Sequence, residues 1–334
     1  MLNPAAGDES HLVAGASGPE AVTTSLQPAA PATAGRTRGG SEPAPRHLRT
    51  SQRRAGLAFA LPVIILELAF LALPIAQAFY YSFTSWDGLK ATWIGLDNYT
   101  RLFSDTTFWQ VMFNNLLLLA SVPVAILIPL LVAYLLNEHV LGWRFFRSAY
   151  FLPTAISWVV IGMVAIRFFA VEGMLNHLLE AIGLGGIQLN MLGGELSAML
   201  AVIITFTWSV FGTNTIIFIT GMATLDREVY EAARVDGATG LTTFRHITIP
   251  MLMRFIQFAF ILTLITAFTA LFSLIFVMTG GGPGYATTTL EFYVYQQGFT
   301  VGVFGYGAAI GIVLFGIVFA ISLAQLRLFK SRLD

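Results

Sequence analysis

The sequence predicts an all-α integral membrane protein with six transmembrane helices and a cytoplasmic helical loop between the fourth and fifth. Three observations predict it. Hydrophobic residues make up 56% of the 334 positions and charged residues only 11%, with a mean hydropathy of +0.74. A soluble domain carries roughly 25% charge, so an apolar solvent must cover much of this surface. Charges also divide the chain into uncharged runs at 68–86, 106–137, 148–166, 196–225, 255–290 and 292–326, each longer than the ~18 residues that qualify a stretch as spanning. Finally, Lys and Arg are distributed unevenly between alternate loops.

Residues 1–54 precede the spans and read as a disordered cytoplasmic tail. They are rich in Ala, Gly, Pro, Ser and Thr, which cannot bury enough apolar surface to offset ordering entropy. Residues 55–334 form the membrane domain. Arg53-Arg54 precede an apolar run ending at Ala76-Gln77-Ala78, a pattern also compatible with a cleaved signal. The run is long for a signal core, which favours a retained helix. Trimming polar and turn residues places the six helices near 57–80, 113–136, 149–170, 198–222, 256–279 and 304–326.

Orientation follows from the basic residues. Both termini in the cytoplasm put 15 Lys and Arg inside, among them Arg144, Arg147, Arg227, Arg234, Arg245 and Arg254, and only Lys90 and Arg101 outside. Arg167 falls near the outer end of the third helix. Trp86, Trp93, Tyr99 and Trp109 in the first outer segment suit a membrane interface. With no cysteine, thiol chemistry and disulfides are excluded.

The longest inner connection joins the fourth and fifth helices. Leu225, Val229, Ala232 and Ala233 recur at helical spacing, with Arg227, Glu231 and Arg234 on the other side. Asp236-Gly237 reads as a stop, since Gly adopts the left-handed cap conformation readily. A second short helix follows from Thr239 or Thr242, and Pro250 suits the first turn of the fifth span. Such a helix either packs on its own bundle, with Glu231 paired to Arg227 and Arg234, or seats against a soluble partner.

Glu231-Ala232-Ala233, then Asp236-Gly237-Ala238, Phe244, Ile247 and Ile249-Pro250 resemble the EAA loop of ABC importer permeases. Further stretches resemble the carbohydrate-uptake branch of that family, the maltose and glycerol phosphate permeases. These are Tyr81-Ser82-Phe83, Gly95-Leu96-Asp97-Asn98-Tyr99, Phe108-Trp109, Asn114-Asn115, Phe151-Leu152-Pro153, and Thr279-Gly280-Gly281-Gly282-Pro283 with Thr287-Thr288-Thr289-Leu290. Where the family often has a proline soon after Pro250, this chain has Arg254. The resemblance spans residues 56–327. It implies that Tyr230, Glu231, Ala232, Ala233, Asp236, Gly237 and Ala238 form a coupling helix docking on an ATPase. It further implies a second homologous permease, two ATPase subunits that hold ATP and Mg, an external solute-binding (lipo)protein and a sugar-like solute. Cofactor, metal, catalytic site and nucleic acid are not implied for this chain.

A phosphate loop of the form G-x-x-x-x-G-K-[ST] is absent from the sequence, consistent with ATP hydrolysis in another chain. Small and polar stripes run along helix four (Thr205, Trp208, Ser209, Gly212, Thr213) and helix five (Thr263, Thr266, Ala267, Ala270, Ser273), and Gly307 with Gly311 mark helix six. Stripes of this kind usually serve close helix packing. A sugar path needs an aromatic face plus amide or hydroxyl groups, which singles out Trp208, Thr213 and Asn214. Glu67 lies within the first span, where an ionised side chain costs about 2.5–3.5 kcal/mol at the centre. Proton coupling in a secondary transporter is the alternative function, and a buried hydrogen bond or a partner chain the alternative role for Glu67. No convergent set of His, Asp and Glu suggests an enzyme.

Overall fold

The computed structural model describes residues 59–137 and 152–330. The tail at 1–54, the first residues expected of helices one and three, Phe151, Arg144, Arg147, His139 and Arg332 lie outside the described residues. The chain divides between Leu61 and Pro62, and the fold lies in the second part.

Helix α1 (Phe59–Tyr81) contains a π-helical turn at Leu68–Ala72 just before Pro74. It leads into a two-stranded antiparallel hairpin, β1 (Thr84–Trp86) and β2 (Ala91–Trp93), with Thr84 opposite Trp93 and Trp86 opposite Ala91. This hairpin corrects the all-α expectation. Its turn is local chemistry: Asp87 Oδ1 accepts from the Leu89 and Lys90 amides at 2.9 and 2.8 Å, and Gly88 takes φ +97°. Helix α2 (Asp97–Ser104) follows, then the long α3 (Thr106–Asn137), which begins two turns before the expected 113. Pro123 and Pro129 lie within α3, as neighbouring helices in a membrane bundle permit.

The third span is not one helix. Ser157, extended at ψ 149°, caps α4 (Trp158–Phe169), its hydroxyl accepting from the Val160 amide; α4 meets α5 (Met174–Ala181) at a bend of 40°. Helix α6 (Glu195–Met222) covers the fourth expected span. Helices α7 (Arg227–Val235) and α8 (Gly240–Met251) make the following connection, and α8 turns by 73° into α9 (Met253–Thr269). The expected fifth helix at 256–279 is broken at Ala270-Leu271, after which α10 (Phe272–Met278) continues. The stretch 280–303 folds into a glycine turn, α11 (Leu290–Tyr295) and a π-helical turn at Gln296–Thr300. Helix α12 (Phe304–Lys330) ends the described chain.

Four of these helices are long and apolar enough to cross a membrane, or six if each bent pair counts as one span. The main core lies among α3, α4, α6, α9 and α10, with α3 running along α6. Ala125, Ala133, Ala198 and Ala201 are fully buried, the small residues that let helices approach where lipid supplies no hydrophobic drive.

A smaller core of Leu102, Phe108, Leu290, Tyr293, Tyr306 and Ile310 closes the other end of α3 against α11 and α12. Side-chain amides and a carboxylate lock it. Asn114 Nδ2 donates to the Tyr285 and Thr288 carbonyls at 2.8 and 2.9 Å, and Asn115 Oδ1 accepts from the Leu290 amide at 2.8 Å. Asp105 Oδ2 accepts from the Tyr293 and Tyr306 hydroxyls at 2.8 and 3.0 Å, while Oδ1 accepts from the Thr107 amide at 2.9 Å. Burial opposes ionisation of Asp105, but the Tyr293, Thr107 and Tyr306 donors outweigh it and hold its pKa below the usual value. A depressed carboxylate stabilises the fold above its unfolded pKa of about 3.9, and that contribution is lost as pH falls through the folded value. Asp105→Asn is therefore expected to melt lower than the native chain at pH 7, with the gap closing below about pH 4. Melting in detergent across that range checks it, and a gap independent of pH contradicts it.

Candidate functional site

Two places on the scaffold bring sequence-predicted residues together. The first is the connection α7–α8. Ala233 is buried, Tyr230 is half-buried, and Glu231, Ala232, Asp236 and Gly237 are exposed. The helix ends as its sequence requires: the Gly237 amide donates to Arg234 O at 3.1 Å and the Ala238 amide to Ala233 O at 2.9 Å, with Gly237 at φ +77°. This is a Schellman cap, which a residue with a Cβ closes only at a cost.

One hydrogen bond ties α7 to α8, and two contacts of Tyr134 seat α8 on the bundle. The Tyr230 and Thr248 hydroxyls share a hydrogen bond of 3.2 Å, the Tyr134 hydroxyl donates to Gly240 O at 3.1 Å, and the Tyr134 and Phe244 rings lie 5.0 Å apart. At its base α6 and α9 touch closely. A Cβ on Gly221 would come within 2.7 Å of the Phe255 ring. Val229, Val235 and Leu241 meanwhile remain exposed, Val235 at 88%.

The second place is a cavity of about 310 Å³ among α4, α6 and α9 and the turn before α4. Thr213 and Asn214 line it with Ser209, Thr263, Thr266 and Trp158. Asn214 is also a brace. Its Nδ2 donates to Ala125 O of α3 at 2.9 Å, and the Thr263 hydroxyl of α9 lies 3.1 Å from Nδ2 and 3.2 Å from Oδ1. Trp208 stands elsewhere, lining an apolar cavity of about 350 Å³ between α4 and α6 with Phe168, Phe169 and Ile204. The aromatic member of the polar cavity is Trp158, which the sequence did not single out because the break that frees its end of α4 was not visible. Thr266 and Ala270, which belong to the small and polar stripe of the fifth span, both line the cavity.

Among the described residues no group of three His, Cys, Asp or Glu side chains is placed to hold a metal ion. What the arrangement offers is a compartment with hydroxyl, amide and indole walls inside a helix bundle, and an exposed helical connection outside it.

Residues 102–333 match the family of the binding-protein-dependent transport system inner membrane component. A probable ABC transporter permease, YurN of Bacillus subtilis, is 36% identical over 279 residues, covering 82% of this chain and 95% of that protein. The chain belongs to this family. It is a multi-pass permease subunit of an ABC import system, and in such systems separate subunits hydrolyse the ATP. The permease is also 33% identical over 279 residues to the multiple sugar-binding transport system permease MsmF of Streptococcus mutans, covering 83% of this chain and 95% of that one.

Among solved structures, a bacterial ABC transporter that imports the acidic polysaccharide alginate shares the fold, with a TM-score of 0.73 at 24% identity over 85% of the permease and 99% of that chain. The bacterial alginate transporter in complex with its pentasaccharide-bound periplasmic protein matches with a TM-score of 0.71 at 25% identity, over 84% and 96%.

Proposed function

We propose that this permease forms, with a second and unlike permease, the path by which a sugar-like solute released from an external binding protein crosses the membrane. The observation that carries the reading is the polar cavity. Its wall pairs one indole face, Trp158, with the hydroxyls of Ser209, Thr213, Thr263 and Thr266, the combination a hydroxyl-rich ring needs for stacking and hydrogen bonding. The sugar permeases among its relatives support the same substrate class.

In this reading residues 55–334 form a six-span domain with both termini in the cytoplasm, the third span ending with α4 and the fifth made of α9 and α10. The segment from Tyr230 to Ala238 docks on one of two ATPase subunits. Closure of the ATPase pair around ATP and Mg moves α7, and α6 and α9 carry that movement to the cavity between them as a rigid rocking of the bundle.

The test is reconstitution of the permease with its second permease, ATPase and binding protein in vesicles, followed by uptake of a panel of sugars. ATP-dependent uptake is expected, with KM raised about tenfold or more in Trp158→Ala, the scale of a lost stacking or polar contact of roughly 1.4 kcal/mol. Uptake by the permease alone on a proton gradient sinks the reading.

A further inference from the structure

The polar cavity has an apolar neighbour that uptake of a bare sugar leaves unused. The two adjoin at Ile161 of α4, which is buried and lines both. On α6 they are served by successive stretches. Ile204, Thr205 and Trp208 line the apolar cavity, and Ser209, Thr213 and Asn214 the polar one. From Trp208 to Thr213 the helix rises about 7.5 Å at 1.5 Å per residue, a reach that one sugar ring and its substituent cover.

The apolar cavity offers nothing that a polyol needs. Phe168, Phe169 and Trp208 line it with aliphatic side chains. The hydroxyl of Thr205 is already engaged: it donates to Ala201 O at 2.8 Å and lies 3.8 Å from Met278 Sδ. A sugar hydroxyl placed here would give up water and gain no partner. An apolar cavity of about 150 Å³ already takes up benzene, so the roughly 350 Å³ of this one admits an aryl group and its linkage. Aromatic walls favour a flat ring over a flexible chain, because ring pairs contribute beyond their buried area.

Resting on the reading above that the polar cavity receives a sugar ring, we propose that the apolar cavity is a second subsite of the same path, and that the solute is a glycoside with an apolar, aryl-type aglycone. The sugar hydroxyls meet Ser209, Thr213, Thr263 and Thr266. The aglycone lies against Trp208, Phe168 and Phe169, with Ile161 beside the linkage. In the six-span reading α6 runs from outside to inside, so the aglycone trails the sugar on entry. Trp208 is then a specificity-determining residue, although it stands outside the polar cavity.

The test measures affinity for the whole importer in nanodiscs, without the binding protein, by saturation-transfer NMR. The probes are paired methyl and phenyl glycosides of glucose, galactose and xylose in both anomers, with phenol alone as the control for partition into lipid. In a pair that binds, the phenyl member is expected to bind about tenfold or more tighter than the methyl member, with saturation of its aryl protons. Trp208→Ala removes a wall of the cavity and Ile204→Trp fills it, and each is expected to bring that ratio toward one. Because the two changes act on the cavity in opposite senses, a variant that fails to fold leaves the other to decide.

A native ratio near one overturns the proposal and means that lipid or the second permease fills the cavity. A native ratio that both variants keep overturns it too, since the aryl group is then held elsewhere. Failure of the underlying reading looks different: Trp158→Ala then leaves the binding of the methyl glycosides unaltered. If no pair binds, both fall.

Discussion

Glu231→Ala is expected to abolish ATP-driven uptake while leaving the permease in the membrane and its cavity intact. Glu231 is exposed on α7, away from the buried Ala233 that seats the helix, so its removal opens no void and strands no buried donor. What it removes is one of the two acidic groups, with Asp236, in the segment from Tyr230 to Ala238 proposed to dock on the ATPase, beside the exposed apolar side chains of Val229 and Val235. A charged or apolar anchor of this kind at the centre of an interface costs about 2 kcal/mol or more when truncated, roughly thirtyfold in affinity. Co-purification of the ATPase should fall by that order, and any hydrolysis that persists should no longer respond to the loaded binding protein. Gly237→Val acts by another route. The side chain must occupy φ +77°, so the cap opens and α7 loses its end. Uptake at the native rate in Glu231→Ala would show that α7 only packs on its own bundle.

That α7 and its cap were legible in the sequence follows from how local they are. The apolar spacing of Leu225, Val229 and Ala233 and the stop at Asp236-Gly237 are decided within one turn of chain. The spans were legible for a similar reason, because a bilayer demands long uncharged runs whatever their neighbours. Features that depend on distant partners were not. Nothing around Ala270 and Leu271 is a helix breaker, and no residue there predicts the interruption. Asn114 and Asn115 read only as a family likeness, although their partners at Tyr285, Thr288 and Leu290 lie 171 to 175 residues away and pin α3 to α11. Residue type alone singles out Trp208, but which face of α6 meets the polar cavity is set by α4 and α9. The hairpin is also locally encoded. Asp87-Gly88 between two short aromatic stretches is a turn signature, although Trp86 and Trp93 equally suit an interface belt.

The interruption of the fifth span is capped from twenty residues downstream. Helix α9 ends at Thr269, Ala270 leaves helical geometry at φ −128° and ψ 6°, and α10 starts again at Phe272. The Leu271 and Phe272 amides at the new start have no helical acceptors. Glu291 Oε2 accepts both, at 3.1 and 3.0 Å. Glu291→Ala strands the two donors, at about 1–3 kcal/mol each if both stay buried, and is expected to lower the melting temperature by several degrees or more. Because Ala270 lines the polar cavity, the same change is expected to alter KM for the solute, whereas Glu291→Gln keeps an acceptor and recovers most of both effects. The pH dependence runs opposite to that of Asp105. Burial raises the Glu291 pKa, and the Phe272 and Leu271 amides only partly offset it. Its contribution is therefore complete below the unfolded value of about 4.3 and is lost as pH rises through the folded one. The melting advantage of the native chain over Glu291→Gln should accordingly shrink from pH 4.5 to pH 8. Native melting and native KM in Glu291→Ala would mean that the break holds without its cap, and that the cavity wall is shaped by the packing of α10 on α4 instead.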